Sequence, residues 1–404
     1  MPTSPGNGDS PRSTFRRADL NISGILRRDL SIPSGLIIFL KYNAIIIGSG
    51  IAGLSTAYHL GNGGMHDILV VDKSSLGGGS TAWASGVISH LFPDMILINL
   101  VKESVRFFHE IEQLSNFKFN QVGMLSVGNS SNEILLKQAH RLLQSANVKA
   151  VLMNEENMRR KFPRIITKDL ELGVYCTESG YLDQNTLVRT LSSMLRQNGV
   201  SIKEHAIVNG LITHNSKVSG VIIEDKIIES ERIIIASGIW SRSLGKRMGY
   251  HLPLSIYRTQ AIQIGLSQPT EIPIFYDLTT GQYGGPIDEL TIILGDGSTG
   301  FDGEIDTAGN SGDDLFARET LVNLKARIRN IQDPRVLGSW SGLYCTTRDG
   351  RPLVGESETI QGLYYICGFQ GLGLTLAPGS GQYLAEIING KNQGEANPFR
   401  AERL

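Results

Sequence analysis

The clearest signs of chemistry in this sequence are three glycines and one carboxylate. The glycines lie in Gly-Ser-Gly-Ile-Ala-Gly, and Asp72 follows about 20 residues later. Gly48 permits a tight turn, Gly50 lets the backbone approach a pyrophosphate, and Gly53 allows a helix to pack closely on a strand. Asp72 can accept a hydrogen bond from a ribose hydroxyl. The spacing therefore predicts a dinucleotide site, with FAD and NAD both open at this point.

Predicted strands and a helix surround these residues. Residues 42–47 form an apolar, β-branched run that predicts a buried parallel strand, and residues 54–60 are typical of a helix. A second apolar run at 67–71 predicts another strand, which ends at Asp72. Strand, glycine-rich turn, helix and second strand are the context in which GxGxxG binds a dinucleotide. The N-terminus of the helix would then stabilise the phosphate charge.

The composition bounds the class of protein. The chain has 404 residues, of which 41% are hydrophobic and 19% charged, and its net charge is −1. These values are typical of a globular protein of two or three domains and provide no basic field for nucleic acid. The 46 glycines show no Gly-X-Y period, so they serve turns and close backbone approaches. Three scattered cysteines predict neither a disulfide framework nor a metal site and favour a reducing compartment, the cytoplasm.

The first forty residues differ from the rest of the chain. They are rich in Ser, Pro, Gly, Asn and Arg, and we interpret residues 1–40 as a disordered or spurious N-terminal extension. An organellar transit peptide, and with it a mitochondrial matrix location, stays open because Arg and Ser are frequent here. An apolar run at 35–40 is far shorter than the roughly 18 residues of a transmembrane helix, so no such helix is predicted.

Further patterns occur downstream of the glycine-rich turn. A Gly/Ser/Thr-rich loop spans 76–88, and a strand at 233–235 ends in the small-residue turn Ala-Ser-Gly. The C-terminal part contains Asp-Gly-Arg-Pro-Leu-Val-Gly at 349–355, Gly-Phe-Gln-Gly-Leu-Gly at 368–373 and Ala-Pro-Gly at 377–379. With the first motif, these patterns resemble the D-amino-acid-oxidase-like FAD-dependent oxidoreductases, which include glycine oxidase, sarcosine oxidase, dimethylglycine dehydrogenase and the archaeal proline dehydrogenase β-subunit. The resemblance covers about residues 41–390.

The resemblance implies a fold class and a division into domains. The fold class is α/β (α+β overall), with a FAD-binding Rossmann-like domain of the glutathione-reductase type and a discontinuous, sheet-rich substrate domain. The FAD-binding domain would take 41–97, 173–250 and 339–393, and the substrate domain 98–172 and 251–338. The hydrophobic pattern itself predicts helices at 107–114, 132–146 and 382–388 and strands at 123–127, 261–264 and 290–294.

The resemblance also implies FAD as the cofactor and relates particular residues to it. Val208 matches the strand whose backbone holds the adenine, Gly238 matches the turn beneath the pyrophosphate, and residues 371–375 match the loop and helix start beside the flavin. The predicted cofactor-binding residues are Gly48, Ser49, Gly50, Ile51, Ala52, Gly53, Asp72, Lys73, Gly79, Ser80, Thr81, Ala84, Ser85, Gly86, Val208, Ala236, Gly238, Gly371, Leu372, Gly373, Leu374 and Thr375.

Two positions depart from relatives that bind flavin covalently. Trp83 occupies the position of the flavin-linking His of dimethylglycine dehydrogenase, and Gly342 that of the linking Cys of monomeric sarcosine oxidase. Cys345 lies close to the second position in sequence, and we interpret it as a packed thiol. We therefore predict that FAD is bound non-covalently.

The substrate-binding groups depart from the family as well. Glycine oxidase has Arg where this chain has Tyr344, and monomeric sarcosine oxidase has Lys where it has Thr375. A buried substrate carboxylate needs a cation or several donors, and Arg348 is the nearest cation in the motif. A structural pair with Asp349 stays open for Arg348, as does an interior structural role for His90. The predicted substrate-site candidates are Tyr344, Arg348, His90, Tyr283 and Gln370.

The implied activity is oxidation of the C–N bond of a small amine or amino acid of the glycine, sarcosine, proline or D-amino-acid type. A hydride would pass to flavin N5, and an imine would form. One alternative is a FAD-dependent dehydrogenase of a hydroxy compound such as glycerol 3-phosphate. Another is a flavoprotein subunit of a hetero-oligomeric electron-transfer complex. The acceptor (oxygen or an electron carrier), the homo- or hetero-oligomeric state and peripheral membrane attachment through an acceptor partner stay open.

Overall fold

The helices and strands are those of a computed structural model, which describes residues 40–391 and 396–404. The predicted extension at 1–40 lies outside the described residues, except for its last residue. In chain order the helices are α1 Ile51–Asn62, α2 Met95–Leu114, α3 Glu133–Ser145, α4 Glu155–Lys161, α5 Gln184–Gln197, α6 Ser241–Arg247, α7 Asp314–Arg327 and α8 Gly373–Ile388.

The strands follow the same chain order. They are β1 Ala44–Ile47, β2 Ile68–Val71, β3 Val87–Ile88, β4 Phe119–Asn120, β5 Met124–Gly128, β6 Ala150–Asn154, β7 Leu172–Cys176, β8 Gly180–Leu182, β9 Ser201–Lys203, β10 Val208–His214, β11 Lys217–Ile223, β12 Lys226–Glu229, β13 Ile233–Ile235, β14 Ser255–Gly265, β15 Ile274–Asp277, β16 Tyr283–Pro286, β17 Thr291–Gly300, β18 Arg335–Thr346, β19 Leu353–Glu356 and β20 Leu363–Cys367.

The first strand lies inside a six-stranded sheet with the order β19-β20-β13-β1-β2-β9. β1, β2 and β13 have the sequences Ala-Ile-Ile-Ile, Ile-Leu-Val-Val and Ile-Ile-Ile, and all of these residues are buried. Continuous β-branched runs suit a parallel sheet that is covered on both faces. β1 pairs parallel with β13 and with β2, whereas β19 at one edge pairs antiparallel with β20. This sheet confirms the predicted Rossmann-like fold.

A larger sheet has the order β18-β14-β17-β16-β15-β5-β7-β6 and is antiparallel except between β15 and β5. Leu125, Phe275, Leu294 and Ile262 lie in one row across its strands and are buried in a common apolar cluster. Side chains alternate along a strand, so the neighbouring row lies on the opposite face. That opposite row is important for the functional site. The remaining strands form two three-stranded sheets, β10-β11-β12 and β3-β8-β4.

Helix α8 begins nine residues before the predicted start at 382, because its Gly- and Pro-rich first half resembles a loop in sequence. The small residues are needed for close packing. A Cβ added at Gly379 would lie 2.2 Å from the carbonyl oxygen of Leu100 in α2, and one at Gly381 would lie 2.9 Å from Ser55 Oγ in α1. The hydroxyl of Ser104 accepts the Gly379 N–H at 2.9 Å, next to Pro378, which lies inside the helix and has no N–H to donate.

The described residues form one compact unit. The predicted division into a FAD-binding and a substrate domain therefore stays a prediction. Two of the predicted boundaries, 172/173 and 338/339, fall inside strands β7 and β18 of the larger sheet.

Helix α2 starts earlier than the predicted 107, at Met95, where the Asp94 carboxylate accepts the Ile96 N–H. Within residues 40–391 and 396–404, no helix has the length and apolar character of a membrane span.

Candidate functional site

A cavity of about 880 Å³ is lined by residues from both large sheets. Gly48, Asp72 and Ala236 follow β1, β2 and β13, so three neighbouring parallel strands present their carboxyl ends to it. Tyr283 of β16 and Tyr344 of β18 line it from the larger sheet. Ligands of open α/β sheets bind outside the carboxyl ends of the strands, which makes this cavity the candidate site.

Each of the three motif glycines is glycine for a different structural reason. Gly48 has a φ of +119°, and a Cβ there would lie 2.3 Å from the carbonyl oxygen of Ala236. A Cβ at Gly53 would lie 1.9 Å from the carbonyl oxygen of Gly48, so a side chain would push α1 off the turn. Gly50 has ordinary dihedral angles, and its Cβ would meet only Thr81 Oγ1, at 3.2 Å. Gly50 is therefore the glycine whose absent side chain leaves room on the cavity side.

The N-terminus of α1 opens into the cavity. Gly50 is its N-cap residue and provides no side-chain cap, while Thr81 Oγ1 accepts the Ile51 N–H at 3.2 Å. The first turn of a helix carries unpaired N–H groups and a partial positive charge, which together bind phosphate. The glycine-rich turn thus fits a pyrophosphate.

Asp72 is held by the residues around it. Its Oδ2 accepts the backbone N–H and the hydroxyl of Ser49, both at 2.7 Å, and its Oδ1 accepts the N–H and hydroxyl of Ser74, both at 2.9 Å. These four donors fill the roughly four acceptor positions of a carboxylate. A ribose hydroxyl would therefore bond to Asp72 in place of one serine hydroxyl.

A small charged cluster lies beside Asp72. Lys73 Nζ is 2.5 Å from Asp306 Oδ1 and 4.1 Å from the centre of the Trp240 ring. The same carboxylate oxygen accepts the Trp240 Nε1–H at 2.8 Å. The hydrogen bond from Lys73 lowers the pKa of Asp306. Asp306 and Trp240 line the cavity but were not predicted. Trp240 closely follows the small-residue turn after β13, and Asp306 lies in a short segment after β17 that carries no motif.

The Gly/Ser/Thr loop forms another wall and is attached to the larger sheet. The Ser80 hydroxyl donates to the carbonyl oxygen of Leu343 in β18 at 2.7 Å. Gly86 has a φ of +81°, and a Cβ there would lie 2.2 Å from the carbonyl oxygen of Leu182. The loop is therefore held at Ser80 by a hydrogen bond to β18 and packs closely at Gly86 against the carbonyl oxygen of Leu182.

Most of the predicted cofactor-binding residues are brought together. Ser49 and Gly53 do not line the cavity, because Ser49 is buried against Asp72 and Gly53 against the turn. The predicted residues that do line it are Gly48, Gly50, Ile51, Ala52, Asp72, Lys73, Gly79, Ser80, Thr81, Ala84, Ser85, Gly86, Val208, Ala236, Gly238, Gly371, Leu372, Gly373, Leu374 and Thr375.

The predicted substrate residues divide into two groups. Tyr344, Tyr283 and Gln370 line the cavity. Arg348 does not: it is exposed on the turn after β18, outside the cavity lining. The alternative pair with Asp349 is not formed either, since Asp349 binds Arg403 at 2.7 Å. The candidate cation of the motif is therefore turned away from the site.

His90 is the second predicted residue that the structure places outside the cavity lining. It is fully buried, and its Nδ1 lies 3.1 Å from Ser179 Oγ, whereas its Nε2 has no hydrogen-bond partner among the described residues. Burial lowers the pKa of His90 to about 4. His59 of α1, whose ring contacts Phe107 of α2, has its pKa lowered to about 4 by burial as well. Both imidazoles are interior groups that stay neutral.

These two histidines predict a loss of stability in acid. An unfolded His is protonated near pH 6.5, whereas the folded ones resist protonation down to about pH 4. The free energy of unfolding should therefore fall between pH 6.5 and pH 4 by about 3 kcal/mol for each histidine, and change no further on their account below that. Urea unfolding of His90→Gln should show a smaller loss over this range. The control is the exposed His251→Gln variant, which should retain the full loss. If His90→Gln lost as much unfolding free energy between pH 6.5 and pH 4 as the wild type, this account would be contradicted.

The two positions of covalent attachment in relatives lie side by side. A Cβ on Gly342 would be 3.1 Å from the Cβ of Trp83, and both residues line the cavity. Cys345 also lines it, but its thiol donates to the carbonyl oxygen of Gly238 at 3.4 Å, and burial raises its pKa to about 11. A thiol in this state is a poor nucleophile.

The chain is similar to known proteins over most of its length. The family model described as FAD dependent oxidoreductase matches residues 43–387. The chain is 23% identical over 374 residues to the 4-methylaminobutanoate oxidase (formaldehyde-forming) of Paenarthrobacter nicotinovorans, covering 89% of this chain and 45% of that protein. It is 24% identical over 368 residues to the mitochondrial pyruvate dehydrogenase phosphatase regulatory subunit of Mus musculus, covering 85% of this chain and 40% of that protein.

A solved structure has the same fold. L-proline dehydrogenase from P. horikoshii superimposes with a TM-score of 0.83 at 23% identity, covering 91% of this chain and 98% of that chain.

The chain belongs to the FAD-dependent oxidoreductase family, and its cofactor is FAD. It spans less than half the length of the two curated relatives described above.

Proposed function

We propose that this protein oxidises the C–N bond of a small amine or amino acid to an imine. The observation that carries the proposal is one cavity that joins the glycine-rich turn to tyrosines from the larger sheet. An amine oxidase among the relatives supports the same chemistry. FAD, when bound, supplies a hydride acceptor at its N5 atom.

The lining residues suggest how the chain would hold FAD. The N-terminus of α1, at Gly50, would bind the pyrophosphate, and Asp72 would bind the adenosine ribose. Val208 lies at the start of β10 on the same side and would contact the adenine. The N-terminus of α8 begins at Gly373, where its partial positive charge would stabilise electron density on the flavin ring.

The residues of the larger sheet would position the substrate. Hydride loss from an amine needs the nitrogen lone pair, so the substrate reacts as the neutral amine and no strong base is required. Tyr283 and Tyr344 would hold the carbon that is oxidised and exclude water from it.

We expect FAD to be held without a covalent bond. Trp83 and Gly342 offer no nucleophile at the two attachment positions, and the Cys345 thiol is protonated at neutral pH. Precipitation of the purified protein with acid should leave the yellow colour in the supernatant. Yellow colour in the washed pellet would contradict this expectation, and a Cys345→Ser variant would then show whether that thiol is the link.

Anaerobic reduction of the bound flavin by matched substrates tests the proposed activity. Benzylamine and benzyl alcohol form one pair, and sarcosine and glycolate form another. At least one amine should bleach the flavin absorbance, whereas its hydroxy counterpart should not. Bleaching by glycolate or glycerol 3-phosphate but by no amine would favour the alternative, a dehydrogenase of hydroxy compounds.

A subunit role is a second candidate, because one relative is named as a regulatory subunit. Constant co-purification of a partner, together with no flavin reduction by any substrate, would favour a flavoprotein subunit of a hetero-oligomeric complex.

The electron acceptor is proposed to be oxygen or an electron carrier. Fast reoxidation of the reduced flavin in air would favour oxygen, and slow reoxidation would favour a carrier. A cytoplasmic location is inferred from three buried free cysteines, with the mitochondrial matrix as the alternative.

A further inference from the structure

One row of residues crosses the larger sheet on its cavity face. Strand pairing places Trp340 opposite Ala261, Ala261 opposite Gly295, and Gly295 opposite Tyr283. Tyr276 continues the row, opposite Tyr283. Directly opposed side chains on one face have Cβ atoms about 4.5–5.5 Å apart. Two small residues are thus flanked by a tryptophan on one side and two tyrosines on the other.

The small residues shape the row into a trough. A Cβ at Gly295 would lie 2.4 Å from Cζ of Tyr283, so the tyrosine ring lies over this glycine and leans towards Ala261. Trp340 is held at the opposite side, where its Nε1–H donates to the carbonyl oxygen of Trp83 at 3.2 Å. Ala261, Trp340, Tyr283 and Tyr276 all line the cavity. We call these four residues the aromatic trough.

Charge in the cavity wall is concentrated away from the aromatic trough. The charged residues among the described lining residues are Asp72, Lys73, Arg247 and Asp306. Lys73 binds Asp306, and Arg247 lies close enough to lower the pKa of Asp306, so these groups offset one another beside the glycine-rich turn. In the aromatic trough, burial raises the pKa of Tyr276 and keeps its phenol neutral.

Gln370, another predicted substrate-site residue that lines the cavity, is held by its own neighbours. Its side-chain oxygen accepts the Thr346 hydroxyl, and its Nε2 donates to Thr347 Oγ1 at 2.9 Å. Both ends of the amide are therefore engaged by the protein. A carboxylate in the aromatic trough would face ring surfaces that carry partial negative charge.

We propose that the substrate is an amine with apolar substituents and no carboxylate on the carbon that is oxidised. The proposal rests on the proposed function and specifies its substrate class. When the C–H bond breaks, its electron pair leaves with the hydride to the flavin, and the nitrogen lone pair forms the C=N bond. The positive charge that develops on nitrogen is stabilised by the aromatic faces, which attract organic cations within about 6 Å.

Binding to the FAD-loaded protein tests the proposal without turnover. Calorimetric titration with benzyltrimethylammonium and with benzoate compares opposite charges on one aromatic group. The cation should bind at least tenfold more tightly than benzoate. Tyr283→Leu should weaken cation binding at least fivefold, whereas Tyr283→Phe, which keeps the ring, should bind it as the wild type does. Equal or tighter binding of benzoate would overturn the proposal.

Anaerobic flavin reduction by a matched pair separates this proposal from the proposed function. N-methylbenzylamine should reduce the flavin at a concentration at least tenfold lower than N-methylphenylglycine, which differs by one carboxylate. A preference for N-methylphenylglycine would overturn the substrate class and leave C–N oxidation standing. Reduction by neither compound and by no other amine would overturn both.

Discussion

Replacing Gly50 with alanine should yield a protein that folds normally but loses FAD. Gly50 has a φ of −68° and a ψ of 176°, which alanine adopts without strain, and its Cβ would meet only Thr81 Oγ1. The added methyl group would occupy the space where the backbone approaches the pyrophosphate. Loss of two hydrogen bonds to phosphate, at about 1.5–3 kcal/mol each, corresponds to an affinity at least about 100-fold lower.

Two other glycines of the same region provide matched controls. Gly53→Ala should lower the free energy of unfolding by about 1–3 kcal/mol or more, since its Cβ would lie 1.9 Å from the Gly48 carbonyl oxygen. Gly61→Ala, at a position of α1 where the added Cβ would meet nothing beyond its own stretch of helix within 4 Å, should leave FAD affinity unchanged and should not lower the free energy of unfolding. Fluorescence titration of the apoprotein with FAD and thermal unfolding measure the two effects. Wild-type affinity in Gly50→Ala would contradict the placement of the pyrophosphate.

Replacing Arg327 with methionine should cause the largest loss of stability. Arg327 is 5% exposed, and its Nε donates to Asp277 Oδ2 at 2.8 Å while its other two nitrogens bind Asp169 at 2.8 and 2.9 Å. These bonds lower the pKa of Asp169. Asp277 is itself 2% exposed, so its charge would be left buried and unpaired. Breaking a buried pair in this way costs about 3–5 kcal/mol.

The chain offers a matched exposed pair as the control. Arg335 binds Asp333 at 2.9 Å, but both side chains are mostly exposed, so Arg335→Met should cost at most about 1 kcal/mol. Adding Asp277→Asn to Arg327→Met should recover part of the loss, because the unpaired charge is removed. The free energy of unfolding from denaturant titration measures each effect. Equal losses in Arg327→Met and Arg335→Met would contradict the assigned role of the buried pair.

This pair also stabilises the wall of the cavity. Asp277 follows Tyr276 in the chain, and its Oδ1 accepts the N–H and hydroxyl of Thr279 at 2.9 and 2.6 Å. The turn that ends at Gln282 leads directly into Tyr283. Loss of Arg327 should therefore weaken substrate binding in the folded fraction as well.

The glycine-rich turn was predictable from sequence because its determinants are local, whereas Val208, Gly238 and residues 371–375 were related to FAD only through the family resemblance. A glycine-rich turn, the strands on either side of it and the acidic residue at the end of the second strand lie within thirty residues of sequence. Short-range sterics determine the geometry of such a turn, as the contacts at Gly48 and Gly53 show. The full fold class was implied by the family resemblance, since the local pattern by itself predicted only the strand–turn–helix–strand unit.

The substrate half was only partly predictable because its wall is assembled from distant strands. Trp340, Ala261 and Tyr276 meet through strand register, which no local pattern specifies. Arg348 was chosen for its place in a motif, but β18 ends just before it and the side chain faces solvent. The early start of α8 was missed because its glycines serve helix contacts rather than turns.

The most direct test of the account is an anaerobic titration of the FAD-loaded protein with a single reactive amine. We predict that one equivalent of amine bleaches one equivalent of flavin and that hydrolysis of the imine then releases one equivalent of the corresponding aldehyde or ketone. Flavin that stays oxidised with every amine tested, yet is bleached by a hydroxy compound, would contradict the proposed oxidation of a C–N bond.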